Sequence, residues 1–314
     1  MRRRIDFPEV VHNDLISDFV HLRNTWGESP QEVKGYALNE EQTAETISLL
    51  TNHGCVFFVC ATEMSLNSDS MIANFQRTQA EYITENVPSS AHPLLRRQVL
   101  RLRRAYEKMP AQLFLQSVLL TDLIFRVINQ ASIHFAMQKP HELGGFRWII
   151  DGKDKTKTAY EAAWELMAAG FIQTKGIENP AVAVEEGDYT FFRRSFIRAD
   201  AAWPAQLPNP RSGGPFERGM IWNLKKVLYE SLSFVDSQNC CGLQLVDIVT
   251  SIFRRALMGR LKRRGYQRFG ELMRRLGPSP VEMHLFNSLE SVCGVPEYKN
   301  AVALIDSRSQ LVGQ

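Results

Sequence analysis

Asp247 has the setting that most demands chemistry. It lies inside the apolar run Leu245-Val-Asp-Ile-Val249, with Gln244 three positions before it. At helical spacing those two polar residues share a face. A carboxylate buried without a partner is costly, so Asp247 is expected to meet a partner, a metal or a water-filled cleft. Two further acids stand at element ends in short motifs: Glu32 in Glu32-Val-Lys-Gly35, and Asp151 in Ile149-Ile-Asp-Gly-Lys153. Hard divalent ions such as Mg²⁺ need several oxygen ligands drawn from different elements. Ions so held polarise a phosphodiester and generate hydroxide from bound water. On that reading Glu32, Asp151 and Asp247 are the metal-binding and catalytic acids. Lys34 and Lys153 steer phosphate, Gln244 orients a ligand or water, and Arg254 and Arg255 lie beside the substrate. Plainer readings stand beside it. Asp151 can be a strand-end turn residue, Glu32 can pair with Lys34, and Asp236 in Asp-Ser is ordinary turn chemistry. Gln244, Asp247 and an arginine can also form a polar network that only fixes packing.

The elements that would carry these residues follow from periodicity. Leu232, Phe234 and Val235 end a strand, Gly242 opens a turn, and Leu243 to Arg255 repeats apolar residues at helical spacing. Phe146 to Asp151 reads as a second strand and Cys55 to Ala61 as a buried third. Helices are expected over 7–24, from a cap at Asn39 to about Leu50, over 69–86 and 94–107, from Pro110 to about Met137, and from Thr158 to Ala169. Residues 204–215, rich in Pro and Gly, read as a loop. Strands separated by helices place the chain in the α/β class.

Composition excludes several other functions. With 314 residues, 44% hydrophobic and 23% charged, the chain has the make-up of a soluble globular protein. The longest apolar stretch, Ala111 to Met137, contains Asp122 and Arg126, so it is expected to be a core helix rather than a membrane span. The five cysteines show no CxxC spacing, which argues against a zinc site and fits a reducing cytoplasm. His134 reads as a core histidine and His53 as a helix-end residue. There is no phosphate-binding glycine loop, nucleophile elbow or HExxH. The net charge is +3, but the cations cluster. Nine Arg or Lys and one acid, Glu271, fall between Arg254 and Arg275; Arg96, Arg97, Arg101, Arg103, Arg104 and Lys108 share one expected helix. Such stripes either are solvated helix faces or bind a phosphate backbone.

The three motifs, in this order, resemble the bacterial and phage family catalogued as domain of unknown function 3800. The matching segments are Glu32-Val-Lys-Gly35, Phe146-Arg-Trp-Ile-Ile-Asp-Gly-Lys153 and Asp236-Ser-Gln-Asn-Cys-Cys-Gly-Leu-Gln-Leu-Val-Asp247, and the likeness spans about residues 7–258. The resemblance implies a ribonuclease H-like mixed five-stranded sheet flanked by helices, with carboxylates at its end holding Mg²⁺ or Mn²⁺, and a nuclease acting on nucleic acid. The family's N-terminal Asp-Glu-Ser strand has no counterpart here, which leads us to expect a truncated first strand and, as the alternative, an inactive nucleic-acid-binding or assembly protein. The expected organisation is one domain over 1–277 with a helical insertion at about 64–140, followed by a C-terminal extension over 278–314.

Overall fold

The structure is a computed structural model that describes residues 9–27, 33–85, 87–88, 90–152, 154, 156–179, 182–198, 220–277, 279–284, 286 and 298–313. Mixed helix and strand make up the chain, with helix dominant. In order come α1 (Glu9–Thr25), α2 (Glu40–Asn52), β1 (Val59–Thr62), α3 (Asp69–Glu85), α4 (Pro93–Glu107), α5 (Ala111–Gln138), β2 (Trp148–Asp151), α6 (Ala159–Glu178), β3 (Phe196–Arg198), β4 (Met220–Trp222), β5 (Leu232–Val235), α7 (Cys241–Leu257), α8 (Arg263–Glu271), β6 (Arg274–Arg275), β7 (Val281–His284), α9 (Tyr298–Asp306) and β8 (Gln310–Leu311). The expected loop over 204–215 lies outside the described residues.

Local sequence explains the boundaries. Asn39 and Gln42 form a reciprocal capping box at the start of α2, and Thr158 and Glu161 form one at the start of α6. The helix expected to stop at Ala169 continues to Glu178. Gly170 meets nothing within 4 Å and costs too little to end a helix that buries Trp164, Ala168 and Ile172.

The strands pair as four two-stranded sheets among the described residues, not as one mixed sheet. β1 runs parallel to β7 and β2 parallel to β5, while β3 and β4 are antiparallel and β6 pairs with β8. The two larger parallel pairs feed different cores. Val59 and Val281 pack with Phe19, Ile248, Ile252 and Phe269. Trp148, Ile150, Leu232 and Phe234 pack with Ile124, Ile128, Trp164 and Leu228. A third cluster gathers Ile72, Tyr106, Phe114 and Phe286. Within the segment expected as an extension over 278–314, the described residues 279–284 and 298–313 contribute to the body of the protein: β7 pairs with β1, and Ala301 and Ile305 enter the first core. Parallel pairing across more than 200 residues leaves no local trace in sequence.

α5 is long and apolar enough to cross a membrane by length and composition, yet Phe114, Ile124, Ile128 and Ile133 are buried within the protein, as expected of a core helix. Arg126, 6% exposed on the same helix, donates to the carbonyls of Val59 at 3.0 Å and Pro280 at 2.8 Å. A buried guanidinium needs such partners, and these tie α5 to the β1–β7 pair. His134 is a core residue, also 6% exposed, and its Nδ1 has no hydrogen-bond partner. Burial lowers its pKa to about 4, helped by Arg274 and Lys139 nearby. The unfolded chain therefore binds a proton near pH 6.5 that the folded chain refuses until about pH 4, so stability falls as pH drops through that window. His134→Gln is expected to remove roughly 2–3 kcal/mol of the stability difference between pH 7 and pH 4.5. Urea melts at the two pH values measure this; an unchanged difference contradicts it.

Candidate functional site

α7 gathers the sequence motifs. Its apolar side, Leu245, Ile248, Val249, Ile252 and Phe253, is buried in the first core. The remaining side is solvent-facing: Val246, Asp247, Thr250 and Arg254 are exposed. The expectation that Asp247 is buried among apolar neighbours is therefore not met. Five consecutive helical residues point all round the axis, so Leu-Val-Asp-Ile-Val does not enclose its central carboxylate. Asp247 makes no ion pair or hydrogen bond through its side chain among the described residues.

The Val33–Gly35 stretch lies directly on α7. A Cβ on Gly35 would sit 2.6 Å from the Ile248 carbonyl oxygen, 2.8 Å from its Cα and 2.8 Å from the Ser251 Cβ. Only a residue without a side chain permits that approach. Arg255 fastens the contact, donating from Nη1 to the Leu38 carbonyl at 2.7 Å and the Gly35 carbonyl at 3.3 Å. Lys34, next to Gly35 in sequence, is exposed. β2 lies beside α7 as well, and its last residue, Asp151, is exposed in register with Val235 of β5. Both β2 and β5 run parallel, so Asp151 and the chain entering α7 emerge at the same, carboxyl, end of the pair. Asp236, at that exit, accepts from the Gln238 backbone N–H at 3.0 Å, the turn chemistry expected of it. Glu32 and Lys153 lie outside the described residues.

Two side chains expected at a substrate are engaged within the protein. Gln244 is 8% exposed, accepts from Arg23 Nη1 at 3.3 Å and donates to the carbonyls of Ser237 and Gln238 at 3.3 and 3.4 Å. It joins α1 to the entry of α7 as a packing residue, without Asp247. Arg255 is the tether to the Gly35 turn. Arg254, by contrast, is exposed on the Asp247 side of α7.

A second polar cluster, invisible to spacing arguments, lies on the other face of the β1–β7 pair. Cys60 and Glu282 are register partners, and their side chains and that of His284 alternate away from Val59 and Val281. Their ligand atoms fall within 4.8 Å of one another, a group that could hold a metal ion. His284 Nε2 is 3.3 Å from Glu282 Oε1, and Cys60 Sγ is 3.7 Å from Glu282 Oε2. His284 Nδ1 lies 3.3 Å from Asp122, whose other oxygen pairs with Lys175 at 2.7 Å. Arg126 comes within 3.6 Å of Glu282. His284 beside it, then Arg126 and Lys175, hold the Glu282 carboxyl below its ordinary pKa. Burial, then Glu282, pushes the Cys60 thiol up to about 12, which keeps it mostly protonated and slows its reaction as a nucleophile. The absence of CxxC argued against zinc because it tested only neighbours in sequence. The one signal available was the alternation Glu282-Met-His284 in a strand.

No family model matches the chain, and comparison with curated proteins and with solved structures returns no match. Gly35→Ala is expected to destabilise the protein by about 1–3 kcal/mol, because its new methyl group meets backbone that cannot move aside cheaply. A melting temperature equal to that of the parent contradicts the close approach.

Proposed function

We propose that this protein is a divalent-metal-dependent phosphodiesterase acting on nucleic acid, with Asp151 and Asp247 as its metal-binding carboxylates. The observation that carries the proposal is the convergence on α7 of three sequence motifs, with Asp247 exposed on that helix and Asp151 exposed at the end of a strand in contact with it. Neither acid has an ion-pair partner among the described residues, and carboxylate oxygen is the donor that Mg²⁺ and Mn²⁺ take. Glu32, from the segment leading into the Gly35 turn, is the third acid assigned to them. Bound there, such an ion supplies Lewis-acid polarisation of the phosphodiester and a more acidic water. Arg254, exposed on the Asp247 side of α7, and Lys34, exposed next to Gly35, are the cations assigned to attract the phosphate. A ribonuclease H-like arrangement, in which a strand-end aspartate and a helix aspartate share ions, is the fold-level form of the proposal.

A second reading, binding without hydrolysis, draws on α4. Arg97, Arg101, Arg104 and Lys108 follow one another at helical spacing, are exposed and have no acidic partner among the described residues. They span roughly 16 Å at about 1.5 Å per residue. Exposed cations left unpaired in a row are suited to a phosphate backbone, which binds through release of its counterions.

Two outcomes separate the readings. Asp247→Asn and Asp151→Asn are each expected to abolish Mg²⁺- or Mn²⁺-dependent cleavage of single- and double-stranded substrates, with circular dichroism unchanged. Cleavage at the parental rate by either variant removes the hydrolytic proposal. Replacing Arg97, Arg101 and Arg104 together by Gln is expected to weaken binding and to flatten the dependence of log K on log salt by about 2–3. An unchanged slope removes α4 from the interface.

A further inference from the structure

We propose that Cys60, Glu282 and His284 form a second metal site, distinct from the acids beside α7 and suited to Zn²⁺. Three observations support it together. The first is the donor set. One thiol, one imidazole and one carboxylate match the sulfur, nitrogen and oxygen donors that Zn²⁺ accepts, whereas Mg²⁺ takes oxygen alone.

The second is spacing. Zinc bonds of about 2.0–2.3 Å place tetrahedral ligands roughly 3.3–3.8 Å apart. Here Glu282 Oε1 and His284 Nε2 are 3.3 Å apart, Glu282 Oε2 and Cys60 Sγ are 3.7 Å apart, and all three ligand atoms lie within 4.8 Å of one another. Binding draws the three ligand atoms together from within 4.8 Å to tetrahedral spacing. Parallel pairing puts Cys60 and Glu282 side by side, and the strand period of two puts His284 on the same face.

The third is the surroundings of His284. Its Nδ1 faces Asp122 Oδ2 at 3.3 Å, and Asp122 is 5% exposed and fixed by Lys175. A carboxylate behind a histidine is the arrangement that orients a metal-bound imidazole and presents its other nitrogen. That other nitrogen, Nε2, is buried and lies 3.3 Å from Glu282 Oε1. It points toward Glu282 and Cys60, where a cation would satisfy it.

Arg126 is the competing cation, 3.6 Å from Glu282. Its guanidinium is anchored independently on the Val59 and Pro280 carbonyls, so it keeps its hydrogen bonds when Glu282 turns to a metal. A divalent ion at the ligand atoms displaces the thiol proton of Cys60 outright, and that proton leaves to solvent. Three protein ligands leave a fourth tetrahedral position for water.

Cobalt(II) added to the chelator-treated full chain tests this. One equivalent is expected to give a thiolate-to-cobalt charge-transfer band in the near ultraviolet, which one equivalent of Zn²⁺ then displaces. Cys60→Ser is expected to lose the band, while Asp247→Asn keeps it. Zn²⁺ is also expected to slow alkylation of Cys60 at least tenfold in the parent protein, read by peptide mass spectrometry. That second readout needs no variant to fold. Absence of the band in the parent, a band that survives Cys60→Ser, or alkylation of Cys60 at the same rate with and without Zn²⁺ overturns the proposal.

Discussion

The burial of Leu245, Ile248, Val249, Ile252 and Phe253 along one side of α7 is the interaction on which the rest of the candidate site depends. Fully burying side chains of this size is worth about 1.5–3 kcal/mol each, so the rotation of the helix about its axis is not free to vary. Once that side is fixed, Asp247 and Arg254 must face solvent, and Gln244 must lie at the boundary where Arg23 and the Ser237 and Gln238 carbonyls receive it. The close seat of Gly35 on Ile248 and Ser251 then brings the first motif to the same turn. The core thus decides which polar groups of α7 are exposed together.

The β1–β7 pair obeys the same logic with opposite consequences. Its first face supplies Val59 and Val281 to the core. Its second face meets α5, and there the sequence places Cys60, Glu282 and His284 opposite Asp122 and Arg126. Asp122 and Arg126, held away from water, must be paired, and they find the half-exposed Lys175 and Glu282. Such a network is satisfied enough to fold around, with His284 Nε2 turned toward Glu282 at 3.3 Å.

Much of the local structure was legible in the sequence because its causes are local. Asn39, Thr158 and the apolar period of α7 act within a turn or two, and each element they mark is present. The strand ending at Asp151 was legible for the same reason. What failed was inference across distance or from adjacency. Asp247 looked enclosed because its neighbours in sequence are apolar, yet on a helix the residues that share a face are three and four apart. Gln244 and Asp247, three apart, straddle the boundary between core and solvent rather than sharing one side. The pairing of residues near 60 with residues near 282 has no local signature, so neither the role of the C-terminal segment nor the Cys–Glu–His group could be read before the chain was folded.

The central claim is that Asp151 and Asp247 act as one metal-binding unit. Its most direct test is Mn²⁺ binding, read from loss of the free-ion paramagnetic signal, for the parent, Asp151→Ala, Asp247→Ala and the double variant. The account predicts that either single change weakens binding at one shared class of site and that the second change adds little, the non-additivity expected of groups acting together. Parental affinity in either single variant, or full additivity of the two losses, contradicts it.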